Sequence, residues 1–120
     1  MARTFVKSKI HKATITQTDL QYEGSITLDP LLMKAADIEP YEQVHVLNLN
    51  NGNRLETYAI KGKTNSGVVC LNGAAARHAA KGDQIIVLTY ESFAKVPPAG
   101  YLPLVVHVTP KNKVTKKKGG

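Results

Sequence analysis

Apolar and polar positions alternate with a period of two over much of the chain, the pattern of strands with one buried face. Thr4 to Lys9 and Lys12 to Thr16 read as short strands, as does Ser25 to Leu28. Gln43 to Leu49 and Arg54 to Lys61 alternate again. Between them Asn50-Asn51-Gly52-Asn53 predicts a hairpin turn, because Asn and Gly tolerate positive φ. Val68 to Leu71 is a short apolar strand, and Gln84 to Tyr90 is apolar enough to be central. Pro97-Pro98 and Pro103 interrupt the chain beyond Tyr90, so Leu104 to Thr109 is expected at a sheet edge. Two helices are predicted. Asp29-Pro30 supplies an N-cap and a first-turn proline for Leu31 to Ala36. Asn72-Gly73 opens an Ala-rich helix over Ala74 to Ala80, closed by Gly82. There is no internal repeat. Many short strands, two short helices and Gly/Asn turns predict a mainly β protein, a small β-barrel.

A length of 120 residues, 42% of them hydrophobic, suits one packed domain and excludes a disordered composition. No apolar run approaches the ~20 residues of a membrane helix, and Met1 to Lys12 lacks the apolar core of a signal peptide. The expectation is a cytoplasmic protein that does not engage membranes. The net charge of +7 is concentrated at one end, because Lys111 to Gly120 holds five lysines and no acid. Of the 16 basic residues 11 remain elsewhere against nine acidic ones, so the body is near neutral. Residues 1–110 are therefore read as the barrel domain and 111–120 as a basic, disordered tail. A nucleic-acid-binding barrel is the first rival reading. It is weakened by the neutral body and by aromatics at only 6% with no tryptophan, which leaves few stacking platforms, and no nucleic acid partner is predicted. Cys70 lies in an apolar run and reads as a small buried hydrophobe. His45, His78 and His107 show no metal-ligand spacing with one another or with Cys70, so no metal is predicted.

The segment Tyr22-Glu23-Gly24-Ser25 admits two readings. One is a turn before a strand. In the other, glycine leaves its carbonyl open to approach, and the Ser25 hydroxyl attacks it in an N-to-O acyl shift that ends in chain cleavage. The dipeptide alone does not choose between them. Its wider setting does. Lys9-Ile10-His11, Tyr22-Glu23-Gly24-Ser25, Asn51-Gly52-Asn53-Arg54, Thr57-Tyr58-Ala59-Ile60 and Leu71-Asn72-Gly73-Ala74-Ala75-Ala76 occur in that order. Together they resemble the pyruvoyl-dependent aspartate 1-decarboxylases of bacteria, from about Arg3 to Thr89. Tyr90 to Gly120 carries no clear family motif.

The resemblance implies a double-psi β-barrel assembled as a homotetramer. It implies a proenzyme that cleaves itself between Gly24 and Ser25 into a β chain, residues 1–24, and an α chain from residue 25 that begins with a pyruvoyl group made from Ser25. That covalently bound group, the cofactor, would form a Schiff base with L-aspartate and act as an electron sink, yielding β-alanine and CO2 for pantothenate and coenzyme A synthesis. Arg54 and Lys9 would bind substrate carboxylates. Arg54 is otherwise a surface arginine after a turn, and Lys9 is otherwise a solvated lysine like Lys7 and Lys12. Tyr58 would be the proton donor, and Thr57 would hold the scissile carbonyl during self-cleavage. In a regular strand these neighbours point to opposite faces, so either a bulge intervenes or the two serve different steps or subunits. Asn72, Gly73, Ala74 and Ala75 would offer a helix N-terminus to an anion, and Tyr22 would line the same pocket. His11 matches the motif without a defined role. Gln21 and Ile26 depart from some relatives beside the scissile bond, which opens the question of an accessory maturation factor. The second rival is an uncleaved relative that keeps Gly24-Ser25 as a turn.

Overall fold

Nine strands dominate the computed structural model, which covers residues 1–120. In chain order they are β1 (Arg3–Thr14), β2 (Gln17–Asp19), β3 (Ser25–Leu28), β4 (Gln43–Asn48), β5 (Arg54–Lys61), β6 (Val69–Asn72), β7 (Gln84–Phe93), β8 (Leu104–Val108) and β9 (Val114–Lys118). One short helix, α1 (Pro30–Ala35), follows β3. The strands line up as β2-β6-β3-β5-β4-β7-β1-β8-β9. The pairs β1–β8, β2–β6 and β3–β5 are parallel and the others antiparallel. The mainly β, compact architecture agrees with the fold class expected from patterning.

The period of two does what it predicts. Val44 and Val46, Ile85 and Val87, and Val69 and Leu71 are buried, and α1 adds Leu32 and Met33 to the same core. The two halves of the strand series meet beyond the ladder. The Thr16 N–H donates to the Val69 carbonyl at 2.8 Å and Ile15 N–H to the Asp83 carbonyl at 2.8 Å, so the residues after β1 stitch β6 to the start of β7.

Several expectations change. The two N-terminal strands are one, β1, whose register slips between Ile10 and Ala13. Lys12 sits there at φ 62, the left-handed conformation of a bulge. The second helix is a 3-10 turn, Gly73–His78, shorter than the pattern suggests. β7 is interior, as expected, but β8 lies between β1 and β9 and is not an edge. The basic tail is not loose in this structure: β9 pairs antiparallel with β8, and Asn112 before it is buried. The physical reason is that lysines tolerate an edge strand whose side chains all face solvent, where composition alone suggests disorder.

Candidate active site

Ser25 is the first residue of β3 and is fully buried. Its hydroxyl donates to the Glu23 carbonyl at 2.8 Å and accepts from Asn72 Nδ2 at 3.0 Å. Asn72 ends β6 directly opposite Ser25 in the β3–β6 register. Its Nδ2 also donates to Thr27 Oγ1 at 2.8 Å, and its Oδ1 accepts from the Cys70 thiol at 3.2 Å. Both the donor and the acceptor of this buried side chain are therefore used.

Gly24 precedes Ser25 at the surface, where a Cβ would meet nothing within 4 Å. Its bare Cα is not needed for packing, which leaves open access as its structural distinction. Gly73 is the reverse case. It has φ +65, and a Cβ there would lie 2.7 Å from Gly24 N and 2.9 Å from the Tyr22 carbonyl. Glycine at 73 thus lets the 3-10 turn back directly onto the segment before Ser25. The expected helix N-terminus at Asn72–Ala75 is the start of this 3-10 turn, packed against the segment before Ser25. Asn72 makes no capping bond, because its side chain is turned to Ser25 and Thr27. Ala75 is buried and Ala74 exposed.

A cleft of about 540 Å³ opens beside Ser25, lined among others by Tyr22, Glu23, Tyr41, Tyr58 and Lys61. The Tyr41 and Tyr58 rings lie 6.2 Å apart. No sequence motif marks Tyr41 or Lys61 as site residues. Tyr41 at φ 71 follows Pro40, a local turn signal that says nothing about which cleft it faces. β5 pairs with β4 without a register break, so Thr57 opposes the buried Val44 and points away from Tyr58. A cleft of similar size, about 560 Å³, lies over Thr4, His45 and Tyr90, and contains none of the motif residues.

Lys9 and Arg54 do not line the Ser25 cleft. Lys9 opposes Leu88, Leu88 opposes His45 and His45 opposes Glu56, so β7 and β4 stand between Lys9 and β5. Arg54 is exposed at the start of β5. Lys7 is committed to an ion pair with Glu42 at 2.8 Å, whereas Lys9 and Arg54 have no acidic partner within 4.0 Å. His11 pairs with His107 across β1 and β8, with ring centroids 5.6 Å apart. Burial, together with Lys9, Lys12 and His107, holds its pKa below 6.5. Its Nδ1 is buried and has no partner.

A sequence profile described as aspartate decarboxylase matches residues 1–115. The chain belongs to that family. An aspartate 1-decarboxylase of Dehalococcoides mccartyi is 54% identical over 96% of this chain and 93% of its own. One from Syntrophus aciditrophicus is 52% identical over 95% and 98%, and one from Syntrophobacter fumaroxidans is 56% identical over 88% and 86%. Membership makes this aspartate decarboxylase family member an enzyme, a carboxy-lyase. The match continues beyond Thr89 to residue 115, so β8 and the start of β9 belong to the family domain although no short motif marks them.

Ser25 is buried at the head of β3, no charged side chain hydrogen-bonds to it and a cleft opens beside it, so in this family member the position has room for a small covalent ketone in place of the serine.

Proposed function

We propose that this enzyme converts L-aspartate to β-alanine and CO2 with a pyruvoyl group made from Ser25, after cutting its own chain between Gly24 and Ser25. The observation that carries the reading is the Ser25 hydroxyl, buried and held between the Glu23 carbonyl and the Asn72 amide, next to an unshielded Gly24.

Self-cleavage begins when Ser25 Oγ attacks the Gly24 carbonyl carbon. The C–N bond breaks as the C–O bond forms, and the hydroxyl proton passes to the freed amine. Removal of the Ser25 α-proton then expels the Gly24 carboxylate, and water releases ammonia to leave the ketone. An N–H donor on Oγ, supplied by Asn72, favours the negative charge that grows there as the proton leaves. Continuing the parallel β3–β5 register back from Ile26 and Ala59 sets Ser25 level with Tyr58 and Gly24 level with Thr57. That register supports a division of labour in which Thr57 serves the scissile carbonyl and Tyr58 the cleft.

The pyruvoyl carbonyl supplies the electron sink for loss of the substrate's α-carboxylate. Tyr58, whose phenol O–H is a donor in the cleft, delivers the proton to carbon, with Tyr22 and Tyr41 closing the cleft. Lys9 and Arg54 are unpaired cations suited to the two carboxylates of aspartate, with Arg54 able to bind one through a bidentate fork. Their distance from the cleft in one chain supports an assembly, the homotetramer expected of the family, in which a second copy brings them in. The product would feed pantothenate and coenzyme A synthesis in the cytoplasm.

Intact mass spectrometry under denaturing conditions tests the reading. Two fragments split after Gly24, the larger blocked by a pyruvoyl group, are expected. A single full-length species that persists after prolonged warming would overturn it.

A further inference from the structure

The β3–β6 ladder places two residue pairs side by side: Ser25 opposite Asn72, and Thr27 opposite Cys70. A spacing of two in each strand puts all four side chains on one face. Asn72 lies at the centre of their contacts and is 2% exposed. A buried carboxamide has two orientations related by a half-turn, which exchange its N–H donors and its carbonyl acceptor. Here the N–H groups go to Ser25 Oγ at 3.0 Å and Thr27 Oγ1 at 2.8 Å. The carbonyl takes the Cys70 thiol at 3.2 Å, its one donor.

Turned over, the amide would aim its carbonyl at the two hydroxyls and its N–H groups at sulfur, a weak acceptor. The Ser25 oxygen would then face a carbonyl in place of a donor. A carbonyl there opposes the charge that must grow on Oγ during attack, and an N–H favours it. The orientation of one amide therefore decides whether the nucleophile is assisted. Burial raises the Cys70 pKa, with Asp19 adding to the rise and a Gln17 hydrogen bond opposing it, so the thiol keeps the proton it donates.

We propose that the cross-strand pair Thr27–Cys70 is a positioning device for self-cleavage, which fixes the Asn72 carboxamide with its N–H groups toward Ser25. The proposal rests on the self-cleavage reading above. It gives Cys70 a role as a hydrogen-bond donor, where its sequence setting suggests only a small apolar filler. Thr27 becomes more than a strand residue for the same reason.

The test is the rate at which freshly made full-length chain is cleaved, followed by intact mass at one temperature and pH. Wild type is compared with Cys70→Val, Cys70→Ser, Thr27→Val and Thr27→Ser. Valine matches threonine in shape and has one more γ atom than cysteine, and it offers neither donor nor acceptor; serine keeps the hydroxyl at position 27 and puts a hydroxyl donor in place of the thiol at position 70. The valine variants are expected to cleave about tenfold or more slowly, and the serine variants within about threefold of wild type. Melting temperatures of the four variants report whether a slow variant is folded. Valine variants at the wild-type rate would overturn the proposal, as would folded serine variants as slow as valine. If either valine variant fails to fold, the variants at the other position decide by the same criteria. A wild-type chain that never cleaves would overturn the self-cleavage reading itself, and the positioning role with it.

Discussion

At the scale of single residues, buried polar side chains do the connecting. Asp29 is the clearest case. Its Oδ1 accepts from the Leu31 N–H at 2.9 Å and the Asn65 N–H at 3.0 Å, and its Oδ2 accepts from Gly67 N–H at 2.9 Å. The cap of α1, legible in Asp29-Pro30, is thus also the anchor of the loop between β5 and β6, which no local pattern announces. Burial alone would raise the Asp29 pKa, but the three amides and Lys113 outweigh it, and the folded value lies below 3.8. A depressed carboxylate stabilises the fold above its unfolded pKa, and that increment is lost as the pH falls from there through the folded pKa. Asp29→Asn is expected to cost about 2 kcal/mol at neutral pH. It should also flatten the decline in stability on acidification below pH 3.8, the unshifted value for this carboxyl, which denaturant titrations at several pH values will check. Ser25 and Gly73 follow the same rule. Their types are visible in the chain, but the donor on one and the 2.7 Å approach that excludes a Cβ at the other come from segments far away in sequence.

At the scale of elements, most strands are readable because one face of each is buried. β3 and β5 have the predicted bounds, and β4 and β6 differ by a residue. Continuity and ends are less legible. The pattern splits β1 because its bulge at Lys12 breaks the alternation without ending the strand. It misses β2 because three residues with no buried face carry no period. It misses β9 because the lysines there have the composition of a tail. The approach to β9 is tied down by Asn112, next to Lys113, whose Nζ donates to Asn65. Asn112, at φ 61, accepts from the Thr14 N–H and donates to the Thr14 and Gly67 carbonyls, each at 2.8 Å. Asn112→Ala leaves those buried backbone groups unpaired and is expected to destabilise the protein by about 2 kcal/mol. Hydrogen exchange should show the loss first as faster exchange in β9 and the end of β1.

At the scale of the whole molecule, the two unpaired cations and Ser25 are separated. Ser25 and Tyr58 share a cleft, while Lys9 lies across β7 and β4 from it and Arg54 stays outside. If a second copy completes the site, defects in different residues should complement. Chains carrying Ser25→Ala or Arg54→Ala are each expected to lose about 100-fold or more in decarboxylation when expressed alone. Co-expressed, they should regain a substantial part of the activity, because an assembly would then join the proposed pyruvoyl group of one chain to Arg54 of another. Activity no higher than that of the separate variants would show that each site is built from one chain.

The sequence by itself determined the strand pattern, the α1 cap, the hairpin before Arg54 and the ordered motifs that place the chain in its family. These are local properties, set by period, turn chemistry and residue type. Tertiary structure decided which motif residues meet. It set Asn72 against Ser25 through the β3–β6 register, sent Thr57 and Tyr58 to opposite faces of an unbroken β5, and packed Gly73 onto Gly24. It also left Lys9 and Arg54 outside the cleft. The physical reason is that register and strand order depend on pairing between distant segments, and no single segment contains that information.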